Sequence, residues 1–266
     1  MLLLLPPSET KRSGGTGAFD PTRLRYAAEL TGLRSRVREA LETLSEDEAA
    51  AAKTLKLGVK NRGELAHNLR LGESGVLPAI ERYTGVLYDA LDVASLDPES
   101  RAWLDTHVAV QSALFGIIGA GDKIPAYRLS ASARLPELKT PLKRIWSAAH
   151  AEIPWAEAAE FVLDLRSQDY GALAPLPEGV GWFLHVVQRG PDGEVRALNH
   201  FNKSAKGDLV RRLANSQANI AGIDALLAWA GQEGLDMQAD PERRVVTLVT
   251  DHGAPAPGSS LQTDAG

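Results

Sequence analysis

The stretch Asn199-His200-Phe201-Asn202-Lys203-Ser204-Ala205-Lys206-Gly207-Asp208-Leu209-Val210-Arg211-Arg212 places two lysines where an apolar strand is expected to pass into a long amphipathic helix. A helix start offers unpaired backbone N–H groups and partial positive charge. Lys203 and Lys206 beside it make a setting that favours an anion such as phosphate. Upstream, Gly181 to Arg189 and Glu194 to Phe201 flank Gly190-Pro191-Asp192-Gly193, a turn composition that predicts a β-hairpin. Downstream, Leu209, Leu213, Ile220, Ile223 and Leu227 share one side of a helix expected from about Ser204 to Ala230, and Val245 to Val249 reads as a last strand.

Working outward, Leu2 to Leu5 is a continuous apolar run closed by Pro6-Pro7, which suits a strand buried on both faces. Ser8 to Gly17 is a polar, glycine-rich loop. Residues 21 to 43 carry the apolar stripe of a helix, and Ser45-Glu46-Asp47-Glu48 reads as a capping box opening a second one. That helix ends at Leu57-Gly58, and a polar helix is expected from about Asn61. The spacing from Val76 to Asp92 fits helix and strand equally. Asp97-Pro98-Glu99 starts a helix expected to carry Trp103, Val108 and Val110, and Gly116, Gly119 and Gly121 break the chain into an irregular segment. Residues 139 to 150 predict a helix, and Phe161 to Leu165 an inner strand. The whole is expected to be α+β, a mixed sheet surrounded by helices, as one domain over residues 1 to 252 with a disordered Pro/Gly/Ser tail at 253 to 266.

With 29 basic and 34 acidic residues the net charge is −5, so contact with nucleic acid requires a local basic patch. The absence of cysteine excludes disulfides, thiol catalysis and thiolate metal sites. The opening apolar run is too short for a signal peptide, and no later run approaches the ~20 residues of a membrane span. A cytoplasmic location without membrane association is expected. The six histidines show no metal-binding pattern; His185 and His200 would be diagonal neighbours on the hairpin, a surface pair. No cofactor is expected.

Three apolar strands run into polar clusters: Ser8-Glu9-Thr10-Lys11, Arg166-Ser167-Gln168-Asp169-Tyr170 and Asn202-Lys203-Ser204-Ala205-Lys206. Either these converge in one cleft, supplying cations, hydroxyls and a carboxylate, or they are separate solvated loops. Ser8 and Lys11 also fit a serine-x-x-lysine pattern, but the partner motifs of penicillin-binding enzymes are absent. Arg128, after Ile124-Pro125-Ala126-Tyr127, suits bidentate anion binding or a structural ion pair. Lys53, Lys56, Lys60 and Arg62 surround Leu57-Gly58-Val59, the outline of a helix-hairpin-helix over about residues 45 to 70. Its turn would present N–H groups and cations to DNA phosphates without reading sequence.

The stretches Leu4 to Lys11, Tyr83 to Val86, Ser112 to Gly116, Tyr127 to Leu129, Ser167 to Tyr170 and Lys203 to Gly207, taken together, resemble the YaaA family of peroxide-stress proteins. Leu4-Leu5-Pro6-Pro7-Ser8-Glu9-Thr10-Lys11 is similar to its opening signature and Tyr83-Thr84-Gly85-Val86 to a Tyr-x-Gly element. Ser112 to Gly116, continuing to Asp122 and Tyr127-Arg128-Leu129, matches its central block. Trp146, Ser167 to Tyr170, and Lys203 to Gly207 with Arg211 match later ones. Two stretches depart: Gly119-Ala120 stand where Arg-Pro is often found, and Asp208 follows Gly207. The resemblance implies a mixed α/β fold with a helix-hairpin-helix, double-stranded DNA binding, a role in limiting iron-driven DNA damage, and a cleft lined by Lys11, Arg128, Lys203 and Lys206.

Two functions of different kinds follow. In the first, the protein binds the DNA backbone through Lys53, Lys56, Lys60 and Arg62. In the second, it is an enzyme acting on a nucleotide, nucleobase or other anionic small molecule. There Ser8, Lys11, Arg128, Lys206 and Arg211 would hold the anion, and Lys203, Asp169 or Tyr170 would serve as acid, base or nucleophile.

Overall fold

The four leucines at positions 2 to 5 are shielded from solvent on both faces of their strand, which requires a neighbour on each edge. In chain order the strands are β1 (Leu2–Leu5), β2 (Leu77–Pro78), β3 (Val108–Ser112), β4 (Gly116–Gly119), β5 (Lys123–Ile124), β6 (Val162–Asp164), β7 (Trp182–Arg189), β8 (Val195–Arg196), β9 (Asp236–Asp240) and β10 (Val245–Thr250). The helices are α1 (Ala27–Glu46), α2 (Glu48–Thr54), α3 (Leu65–Asn68), α4 (Ala79–Arg82), α5 (Val86–Leu91), α6 (Pro98–His107), α7 (Leu142–His150), α8 (Trp155–Ala158), α9 (Gln168–Gly171), α10 (Asn199–Asn215) and α11 (Ile223–Gln232). This computed structural model describes residues 1–189, 195–196 and 199–250. The 190–193 turn, the side chain of His200 and the tail at 253–266 lie outside the described residues.

The main sheet runs β4-β3-β1-β6-β7-β10-β9, with β8 paired to β7. Its inner strands β3, β1, β6, β7 and β10 are mutually parallel, and β4 and β9 close the edges antiparallel. The result is the expected α+β class, a mixed sheet with helices packed around it. Parallel neighbours β3, β1 and β6 therefore end on one edge, and that edge is where the polar clusters gather.

Several elements differ from the sequence reading. Val108 and Val110 belong to β3 rather than to the preceding helix, because α6 stops at His107 and Leu3 pairs with Val108. Gly116 and Gly119 form β4 instead of an irregular segment. Gly116 has φ +67°, and a Cβ there would lie 2.7 Å from Trp146. The cap of α2 is Asp47, which accepts from Ala50 N at 3.0 Å, whereas Ser45 bonds back to Leu41 O inside α1. Among the described residues the hairpin's second strand comprises Val195–Arg196, and α10 already begins at Asn199. The 3–4 spacing of Asn199, Asn202, Lys206, Leu209 and Leu213 carries the helical period that far back.

The long helix expected to Ala230 is two. Gln217 takes a left-handed φ of +49°, its N–H bonds Ala214 O, and Ala218 N bonds Leu213 O. That is a helix-terminating motif usually carried by glycine, here built on glutamine. Lys56 ends α2 in the same way, with φ +54° and Leu57 N bonded to Ala52 O. The chain then continues as a 3-10 helix over Val59–Glu64 and the single turn α3. The expected second arm of a helix-hairpin-helix is therefore not a regular α-helix.

Candidate functional site

Beyond β1 the loop carrying Ser8 to Lys11 folds against the segment around Tyr83. Ser8 Oγ donates to Thr10 O and accepts from Thr84 N at 3.1 Å, while Thr84 Oγ1 reaches Thr10 Oγ1 at 2.9 Å. Arg82, wholly buried, donates to Ile124 O, Arg12 O, Gly14 O and Gly75 O. Its four carbonyl acceptors come from three separate segments, two of them from the 12–14 stretch of the loop, so one side chain fixes the loop's course.

Lys11 is held by this arrangement. Its Nζ donates to Ser8 O (3.0 Å) and Glu9 O (3.1 Å) and lies 4.1 Å from the Tyr127 ring centre and 5.4 Å from that of Tyr83. Burial, and then the neighbouring Arg128 cation, bring its pKa down to about 7, against the opposing pull of Glu64 and Glu9. At neutral pH the amine is divided between its charged and neutral forms.

The three hydroxyls beside it form a chain with a definite direction. Ser112 Oγ accepts from Leu114 N (3.1 Å) and Phe115 N (3.0 Å), which fills both acceptor positions. Its proton must then go to Tyr127 Oη at 2.7 Å, and the Tyr127 proton to Tyr83 Oη at 2.8 Å. Tyr83 is left as the donor at the end of the chain. Burial pushes both phenols up, so they act as hydrogen-bond donors and not as bases near neutrality.

Arg128 spans the loop from the other side. Its guanidinium contacts the Glu9 carboxylate, the Glu9 carbonyl at 3.4 Å and Glu64 Oε2 at 3.1 Å. Asn68 clasps its backbone, accepting from Arg128 N at 2.7 Å and donating to its carbonyl at 3.0 Å. At the end of β6, Arg166 forks onto Asp164 at 2.8 and 2.7 Å and reaches Gln111 Oε1 at 3.3 Å. Lys206 donates to Leu165 O at 2.8 Å. Burial lowers its pKa to about 8, partly countered by Asp164.

The strand-end clusters thus meet in part. Ser8, Lys11 and Arg128 are brought together, and Lys206 attaches α10 to the neighbouring strand end. Lys203 is exposed although Lys206 is buried, because a three-residue step turns the side chain some way round the helix. Both lysines sit inside α10 and not at its start. Asp169 is exposed, while Tyr170 is partly buried, with its phenol raised by burial. Arg211 lies elsewhere: it donates to Leu91 O and Asp92 O, closing the end of α5. Lys53, Lys56, Lys60 and Arg62 are all exposed around the α2 turn, with Arg62 3.7 Å from Glu48 and Val59 82% exposed at the tip.

A family model described as "Peroxide stress protein YaaA" matches residues 1–240, nearly the whole chain. The chain belongs to this family. Among its relatives, a UPF0246 protein of Corynebacterium glutamicum is 39% identical over 255 residues, covering 94% of this chain and all of the relative. A UPF0246 protein of Streptomyces coelicolor is 39% identical over 243 residues, covering 90% of this chain and 93% of the relative. In this YaaA-family chain, sequence reasoning assigned no role to Glu9, Glu64, Tyr83, Ser112 and Tyr127. The available signal was polar residues closing apolar runs, Ser112 after Val108-Ala109-Val110-Gln111 above all.

Proposed function

We propose that this YaaA-family protein acts in peroxide stress by binding duplex DNA through its phosphate backbone, without reading sequence, and so limits iron-driven damage. The observation that carries this reading is the exposed turn bearing Lys53, Lys56, Lys60 and Arg62, on a chain whose overall charge is −5. Cations that contact phosphates release the counterions condensed there. Ferrous iron held there as a counterion would be displaced with the others, so the hydroxyl radical formed when it reduces peroxide, with oxidation to ferric iron, would arise away from the sugar.

The test is fluorescence anisotropy with a labelled duplex at low and near-physiological salt. Wild type is compared with a Lys56→Glu/Lys60→Glu/Arg62→Glu variant whose fold is checked by circular dichroism. Binding that weakens with salt and is lost in the variant is expected. Absence of binding at low salt rejects the reading.

A second reading is favoured by Lys11: an amine titrating near neutrality, beside a hydroxyl donor and an arginine, is suited to a small anionic ligand such as a nucleotide. Lys11 replaces Lys203 as the base or nucleophile of that reading, since Lys203 is exposed. Loss of nucleotide-induced thermal stabilisation in a folded Lys11→Met variant is its expected signature, and unchanged stabilisation counts against it.

A further inference from the structure

The carboxylate of Glu9 occupies a position that its own exposure does not explain. Its side chain is 60% exposed, yet it contacts the guanidinium of Arg128, which is only 10% exposed. Arg128 does not need it for charge balance, because Glu64, 25% exposed, already holds its other terminal nitrogen at 3.1 Å. The Glu9 backbone is fixed independently, its carbonyl accepting from Lys11 Nζ at 3.1 Å and Arg128 at 3.4 Å. The side chain can therefore swing into solvent without moving the loop.

What it would uncover is a donor. The Arg128 nitrogen that Glu9 holds is freed, beside the charge of Lys11, whose Nζ stays bonded to Ser8 O and Glu9 O. The guanidinium nitrogen already holds a carboxylate there, so it suits the oxygen of a carboxylate or phosphate, for which charge-assisted bonds to arginine are the strongest recognition available. We propose that this strand-end pocket binds a terminal oxyanion, the phosphate of a small phosphomonoester or a carboxylate, and that Glu9 is its resident stand-in, displaced when the ligand enters.

The proposal rests on the small-anion reading of the Lys11 site and gives it a ligand class and a gate. A tethered carboxylate competes at high effective concentration, so wild-type affinity is held down by Glu9 itself. The nearly buried Arg128 favours a terminal group over a phosphodiester flanked by polymer on both sides.

Isothermal titration calorimetry at low salt tests it, with inorganic phosphate, adenosine monophosphate, citrate and a short duplex as separate titrants. Wild type is compared with Glu9→Gln, with Glu9→Gln/Arg128→Lys, and with Glu178→Gln, an exposed carboxylate just before β7 that controls for net charge. Near-UV circular dichroism confirms folding of each. Glu9→Gln is expected to bind phosphate about tenfold more tightly than wild type, the scale of one charge-assisted hydrogen bond. Glu178→Gln should show no gain, and the double variant should lose it. Citrate against adenosine monophosphate then distinguishes carboxylate from phosphate as the preferred source.

Equal phosphate binding by wild type and Glu9→Gln overturns the gate but leaves a small-anion site standing. No phosphate binding by either folded protein overturns the site as well. An equal gain in Glu178→Gln, or a gain confined to the duplex, also overturns the proposal.

Discussion

An ammonium group packed against two phenol rings and beside a guanidinium has lost most of its water, and at Lys11 the two backbone carbonyls only partly replace it. Competitive acylation across pH should therefore give Lys11 a reactivity midpoint near 7; a midpoint in the ordinary lysine range near 10.5 would reject the assignment. The same shift has a sign in stability. From about pH 7 up to the unfolded value of 10.5, the unfolded chain binds more protons than the folded one, so the Lys11 contribution to stability rises with pH across that window. Lys11→Met should flatten this rise in urea titrations. Tyr127→Phe breaks the hydroxyl chain and leaves the buried Ser112 proton without its acceptor, a loss of roughly 1–3 kcal/mol. A urea midpoint equal to wild type would show that the Ser112 proton finds another acceptor. Lys11, Ser8 and Arg128 were legible as candidates because cations after an apolar run are visible in one dimension. The hydroxyl chain was not, because Ser112, Tyr127 and Tyr83 acquire their roles only when separate segments meet.

Helices α5 and α10 pack so closely at Gly207 that a Cβ there would stand 2.1 Å from Leu87 O and 2.9 Å from Ala90 Cβ. Backbone cannot yield as a side-chain tip can. Gly207→Ala should destabilise the fold by about 1–3 kcal/mol despite alanine's better helix propensity. An unchanged thermal midpoint would mean that the two helices separate at little cost. The lost contact would also shift Lys206, one residue earlier, from Leu165 O. Elements announced by strong local chemistry were legible: the leucines of β1, the Asp97 cap of α6, the apolar run of β6. Elements fixed by distant partners were not. Strand β9, Asp-Met-Gln-Ala-Asp, has little apolar character and exists as an edge because β10 pairs with it. The ends of α2 and α10 were hidden for a different reason, since Lys56 and Gln217 hold left-handed positions that a sequence reader assigns to glycine.

Across the whole molecule, the parallel order β3-β1-β6 brings residues 8 to 11, 112 and 164 to 170 to one edge, with Tyr83 and Arg128 packed over it. The exposed cations of the α2 turn lie beside the segment that supplies Glu64 and Asn68 to Arg128, so duplex and small-anion binding are separated by titrating each variant with both ligands. The net charge of −5 repels DNA at long range, so the duplex binding proposed above would rest on short-range contacts at the turn. If Lys53, Lys56, Lys60 and Arg62 each neutralise one phosphate, log Kd against log salt should have a slope magnitude of about 3.6, from about 0.9 per contact. Removing Lys60 alone should lower that magnitude by about 0.9 and weaken all duplex sequences alike, because a phosphate contact carries no base information. A slope near zero, or a loss that depends on sequence, would assign the binding to other residues. Glu9→Gln should leave the slope unchanged, since the carboxylate it removes lies at the Arg128 pocket and not at the turn.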